Sequence, residues 1–147
     1  MFQPDIAGNV GTVLRLGACL GAGIDLIEPM GFPWSDRALA RAGMDYAAQA
    51  SVVRHVDWEA FRAQLSGRLV LLTTRGAVPL PQARFEPDDT LLLGSEGAGV
   101  PAEVHAAADL AVAIPMRPGM RSLNVAVSGA LVLGEALRQT GTWPSST

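Results

Sequence analysis

Residues 90–101 read TLLLGSEGAGVP. An unbroken aliphatic run, Leu91 to Leu93, gives way at once to a loop that sets three glycines around one acid, Glu96. The run shows no polar alternation. That is how a strand covered on both faces reads, and such strands belong to parallel sheets flanked by helices. Glycines let a backbone approach a ligand closely, and the loops after strand C-termini are where open α/β sheets bind ligands. The spacing of Gly94, Gly97 and Gly99 is not that of a dinucleotide fingerprint. Nor is it a Walker A loop, whose closing Lys and Ser/Thr are missing.

The same grammar extends outward. RLVLLTT (68–74) and LAVAIP (110–115) read as strands, as do IDLIE (24–28) and SVVRHV (51–56). Helical stretches alternate with them. Asn9 is placed to cap NVGTVLRLGACLG, which stops near Gly21 and Gly23; Ser35 or Asp36 caps DRALARAG, which Gly43 ends; Asp57 caps WEAFRAQL, which ends near Gly67. PAEVHAAA is a short helix, and a long one runs from about Ser122, its expected cap, to Gln139. EPMGFPWS (28–35) and GAVPLPQARFEPDD (76–89) read as loops. The alternation predicts an α/β fold, an open and mostly parallel sheet with helices on both faces, formed as a single domain over 1–147. Only MFQP and a few further residues precede the first helix, so either the first strand is very short or the chain begins a few residues late.

Composition bounds the function. A chain of 147 residues, 49% hydrophobic and 17% charged, can bury a sizeable core and is not disordered as a whole. No apolar run reaches the roughly 18–20 residues of a membrane span. FQPDIAGN after Met1 is neither the basic nor the apolar region of a signal peptide. Cys19 stands alone, so no internal disulfide is expected, and without a Cys/His cluster no metal is expected either. These features point to the cytoplasm. Cys19 is expected as a small core residue, and His55 and His105 as structural ones. Net charge is −3, so no global basic field marks a nucleic-acid binder. Yet all 11 basic residues are Arg, whose fork suits phosphates and base edges.

A third stretch, IPMRPGMRSLNVAVSGAL (114–131), sets Arg121, Ser122 and Asn124 at the mouth of an apolar helix. Capping accounts for Ser122 and partly for Asn124. It does not account for Arg121, since a cation is disfavoured at a helix N-terminus unless an anion is near.

Taken together, NVGTVLRLGACLG, LLLGSEGAGVP and IPMRPGMRSLNVAVSGALVLGEALRQ resemble, in this order, the three motifs of the SPOUT superfamily of RNA methyltransferases. The resemblance covers nearly the whole chain. DLIEPMGFPWSDRALARAGMDY (25–46) resembles more narrowly the small bacterial members without a separate RNA-binding domain, which methylate the ribose of nucleotide 34, C or U, in tRNA.

The resemblance implies a homodimer whose C-terminal part forms a deep trefoil knot, exceptional among folds. It implies S-adenosylmethionine as methyl donor, held by Leu93, Gly94, Glu96, Gly97, Ile114, Met116, Ser122 and Leu123, and no metal. It also implies that Arg15 acts on the 2′-hydroxyl, that Asn9 holds Arg15, and that Ser122 and Asn124 close the pocket and orient the ribose. The RNA partner is the tRNA anticodon stem-loop, with Arg37, Arg41, Arg117 and Arg121 as phosphate contacts. Trp34 either stacks on a base or packs internally. Two alternatives stay open: methylation at another tRNA or rRNA position, and a non-catalytic RNA-binding protein of the same fold. A nucleotide-dependent oxidoreductase is disfavoured by its missing fingerprint.

Overall fold

The computed structural model describes residues 1–35, 37–38, 48–75 and 77–146. The chain divides into two compact units: Met1–Leu65 with Ser95–Gly97 and Pro144–Thr147, and Ser66–Gly94 with Ala98–Trp143.

In the first unit, helix α1 (Ala7–Leu20) is followed by β1 (Ile24–Ile27), β2 (Val52–His55) and α2 (Trp58–Gln64). β1 and β2 pair in parallel, Ile24 opposite Val52 through Ile27 opposite His55. Met1–Gln3 lies on the other side of β1, where Phe2 makes a single parallel bridge to Ile27. The first strand is therefore no more than one bridge long. α1 buries Val10, Gly11, Val13, Leu14 and Gly17, a stripe at helical spacing. Gly17 is required there, because a Cβ would meet Ala22 O at 2.7 Å and the Ile24 side chain at 2.8 Å. The helix ends on Gly21 in the left-handed region (φ 72°), as its sequence predicts.

Two expectations about α1 are corrected. Asn9 is not its cap: the helix begins at Ala7, after Ile6, which caps it with no side-chain bond. Cys19 is exposed rather than in the core, because it lies off the stripe defined by Val10, Val13, Leu14 and Gly17.

α2 follows its sequence closely. Asp57 Oδ1 accepts from the Ala60 N–H at 2.8 Å, and Trp58 and Phe61, three apart, face inward. Trp58 meets Phe2 edge-on at 6.0 Å. His55 is 4% exposed, packs edge-on to Phe61 at 5.3 Å, and its Nε2 lies 2.7 Å from Asp25 Oδ1. It is a structural residue with a polar partner, as a buried imidazole requires.

The second unit holds β3 (Leu69–Leu72), β4 (Val78–Pro79), a 3₁₀ turn (Leu80–Gln82), β5 (Thr90–Leu93), α3 (Ala102–Ala107), β6 (Leu110–Ala113) and α4 (Val125–Thr140). Its four strands are parallel in the order β4-β6-β3-β5. Among the described residues the strands form two sheets, one per unit, where the sequence predicts one. Leu69, Val70 and Leu71 are all at most 1% exposed, which explains the unbroken apolar run of β3. Each such side chain contributes about 1.5–3 kcal/mol by leaving water. β4 falls within a stretch expected to be loop. It is two residues long and at the edge of the sheet, where proline is tolerated.

α4 buries Ala126, Gly129, Val132 and Leu137. Gly129 allows a close approach to β5: a Cβ there would lie 3.0 Å from Leu93 Cδ1. Gln139 of α4 ties down the preceding loop, accepting from Phe85 N–H and donating to Ala83 O, both at 2.9 Å. Arg68 forks onto Asp89, with Nε and Nη2 each at 2.8 Å from a carboxylate oxygen. Burial alone would push the Asp89 carboxyl up. The Arg68 fork and the Glu86 N–H outweigh it and hold it below the usual range.

Candidate active site

The first unit brings together residues from two distant stretches of sequence. Glu96 Oε2 accepts from the Asp5 N–H at 2.7 Å, and Glu96 Oε1 accepts from Asn9 Nδ2 at 3.3 Å. In return, Asp5 Oδ2 accepts from Ser95 Oγ at 2.6 Å and from the Gly97 N–H at 3.4 Å. The exchange is reciprocal: each stretch donates backbone and side-chain groups to a carboxylate of the other. Asp5 immediately precedes Ile6, the cap of α1. A carboxylate from residue 96 therefore sits at the positive end of a helix that lacks a local side-chain cap, where negative charge is favoured.

This placement explains Asn9. It lies in the first turn of α1, not before it, and its amide donates to Glu96. Arg15, further along α1, is exposed. Asp5 and Ser95 were not singled out by sequence reasoning. Their partners are about 90 residues away, and no local pattern marks a pair of that kind.

The second unit carries the third stretch. After β6, Ile114 and Met116 are half-buried, and Gly119 turns the chain at φ 89°. Arg117, Arg121, Ser122, Leu123 and Asn124 are exposed. Asn124, not Ser122, caps α4: its side chain accepts from Ala126 N–H at 2.9 Å and Val127 N–H at 3.2 Å. Both residue types can cap, but only Asn124 directly precedes the helical backbone that starts at Val125. Ser122 thus lies outside the helix. At the end of β5, Gly94 is pressed against Gly99, where a Cβ would meet backbone atoms at 3.1 Å. Leu93 is 7% exposed beneath α4.

Of the residues expected to contact RNA, Arg37 is exposed in the first unit, and Arg41 lies outside the described residues. Trp34 is half-buried, with the Arg54 guanidinium 4.9 Å above its ring and Arg54 also paired with Glu28. His105 Nε2 lies 3.4 Å from Arg75 O. Among the described residues, no group of three or more His, Cys, Asp or Glu is placed to hold a metal ion, and no helix is long and apolar enough to cross a membrane.

The chain belongs to the SpoU rRNA Methylase family, whose model matches residues 1–134. It is 58% identical over 144 residues to the tRNA (cytidine(34)-2′-O)-methyltransferase of Beijerinckia indica, an alignment covering 96% of this chain and 90% of that one. A solved structure described as giving insight into 2-OH methylation of C/U34 on tRNA superposes with a TM-score of 0.88 at 40% identity, covering 94% of this chain and 91% of that one. An AdoMet-bound rRNA methyltransferase from Sinorhizobium meliloti superposes at 0.80 with 29% identity, covering 90% of this chain and 52% of that one.

Proposed function

We propose that this chain transfers a methyl group from S-adenosylmethionine to the ribose 2′-hydroxyl of nucleotide 34, C or U, of tRNA. The observation that carries the reading is the Asn9–Glu96 hydrogen bond. It joins the first and second motifs in a chain that aligns almost end to end with a relative named for that reaction.

The donor set fits the methyl donor. Leu93, Gly94, Ile114, Met116 and Leu123 offer apolar side chains and backbone, which suit an adenine ring. A Cβ at Gly94 would press on the Gly99 backbone at 3.1 Å, so glycine there keeps that backbone uncovered. Ser122 and Gly97 add polar groups, and Glu96 joins through its backbone, since both its carboxylate oxygens are engaged by Asp5 and Asn9. When bound, the donor supplies a methyl group on a sulfonium, open to in-line displacement.

The protein's work is then largely positioning. Arg15 carries a guanidinium, which offers hydrogen-bond donors and no acceptor. It therefore acts as an orienter of the 2′-hydroxyl and stabiliser of the developing alkoxide, the proton leaving to water or a substrate phosphate. Asn9 holds Arg15, and Asn124 and Ser122 orient the ribose. Arg37, Arg41, Arg117 and Arg121 bind phosphates of the anticodon stem-loop.

The same reading takes residues 1–147 as a single cytoplasmic SPOUT domain with a deep C-terminal trefoil knot, supported by the order of the three motifs and by family membership. It also takes the protein as a homodimer. Supporting this, Leu123, Val127 and Leu131 recur every four residues at 39%, 49% and 47% exposure, an apolar stripe a second copy would cover.

The test is tritium transfer from labelled S-adenosylmethionine to tRNA lacking 2′-O-methylation at position 34, with an Arg15→Ala variant alongside. Label in the ribose of nucleotide 34, lost in the variant, is the expected result. Label only in rRNA or at another tRNA position overturns the assignment.

A further inference from the structure

We propose that Asp5 is a positioning residue for methyl transfer, a brace that holds the Glu96 loop against the start of α1 and so keeps Asn9, and the helix carrying Arg15, in working geometry. The inference rests on the function proposed above and adds a residue that no motif contains.

Three observations converge on Asp5. Its carboxylate takes the Ser95 hydroxyl at 2.6 Å and the Gly97 N–H at 3.4 Å, the two residues that flank Glu96. Its backbone N–H donates to Glu96 itself at 2.7 Å. Its main chain is held from behind: Gly31 N–H donates to Pro4 O at 2.9 Å, and a Cβ on Gly31 would meet Asp5 Cα at 2.9 Å. Asp5 is thus clamped on one side by the loop after β1 and grips the Glu96 loop on the other. Both flanks of Glu96 are fixed by one carboxylate.

The geometry assigns the two acids different work. Glu96 orients the Asn9 amide, and Asp5 decides where Glu96 is. Without the Asp5 carboxylate, Ser95 and Gly97 lose their common acceptor, and Glu96 keeps only a backbone N–H and an amide partner. Charge-assisted hydrogen bonds of this kind are about twice as strong as neutral ones, so one carboxylate suffices to hold a short glycine loop. Asp5 itself is exposed and touches no reacting atom on this account, so its effect passes entirely through the loop.

The variants are Asp5→Ala, Asp5→Asn, Ser95→Ala and the Asp5→Ala/Ser95→Ala double. Steady-state methyl transfer to tRNA is measured together with amide hydrogen exchange over residues 94–99. Asp5→Ala is expected to lower kcat at least tenfold while KM for S-adenosylmethionine moves less than threefold, and to speed exchange at Gly97. Asp5→Asn, which keeps one acceptor, is expected to fall between Asp5→Ala and the parent. The double variant is expected to be no worse than Asp5→Ala, because both remove the same grip.

A kcat within twofold of the parent in Asp5→Ala, or losses that simply multiply in the double, overturns the proposal. So does a loss of activity with unchanged exchange at Gly97. If the parent itself fails to methylate position 34, the function above fails. The brace is then judged on exchange alone, where unaltered Gly97 protection in Asp5→Ala refutes it.

Discussion

Asn124 separates two jobs that one side chain can do. Its oxygen accepts from Ala126 and Val127 N–H, two of the four donors that α4 leaves without helical partners. Replacing Asn124 by Ala removes both bonds. A lost cap of this kind costs about 1 kcal/mol, which in a chain of this size lowers the thermal midpoint by about 4 °C. Asn124→Asp keeps the acceptor and adds negative charge at the positive end of the helix, so its midpoint equals or exceeds that of the parent. If Asn124 also orients the ribose, however, Asp lacks the amide donor, and kcat should fall at least tenfold in a protein that is no less stable. Differential scanning calorimetry and the methyl-transfer assay on the same three proteins read both effects. Full activity in Asn124→Asp refutes the ribose role. An unchanged midpoint in Asn124→Ala refutes the capping energetics.

Three further outcomes follow from other sites. Gly67→Ala should destabilise by about 2–4 kcal/mol in urea unfolding, because Gly67 sits at φ 75° and a Cβ would press on Asp88 O. Asp89→Asn should cost about 1.5–3 kcal/mol, as it weakens the charged fork to Arg68. Its acid profile should also flatten. The Asp89 carboxyl is held low, and Glu135 is lowered from 4.5 to about 2 by Arg138, then Gln139. Both contributions are present above the usual carboxylate range and fade as pH falls through the folded values. Acid titration by circular dichroism of parent and variant should therefore diverge above the usual carboxylate range and converge as pH falls below it. Val127→Glu with Leu131→Glu should yield monomers in sedimentation velocity if α4 meets a second copy; an unchanged sedimentation coefficient places the dimer contact elsewhere.

What could be read from the chain divides along a physical line. Elements set by short-range rules were legible: the Asp57 cap, the Gly21 stop, and the strands β3, β5 and β6 with their unbroken apolar runs. Errors arose where the deciding partner was distant or where phase mattered. Asn9 looks like a cap because its own neighbours allow it, but its amide answers to Glu96, 87 positions away. Cys19 follows apolar residues yet points away from the stripe. Ser122 and Asn124 are both good caps, and only the backbone selects between them. Val78–Pro79 is too short to announce itself as a strand. Asp5 and Ser95 look like ordinary loop residues until the fold places them side by side.

The reciprocal bonds between Asp5 and Ser95–Gly97 also constrain the order in which the protein can be finished during synthesis. A nascent chain released as far as Leu65 already contains α1, β1, β2 and α2, but lacks the residues that accept from Asp5 and Asn9. Its first helix must wait, uncapped by Glu96, until about 30 more residues have left the ribosome, at roughly 5–20 residues per second. The start of α1 is thus completed by a segment made after β5, so a chain ending at Leu65 can contain β1 and β2 without the Asn9–Glu96 link.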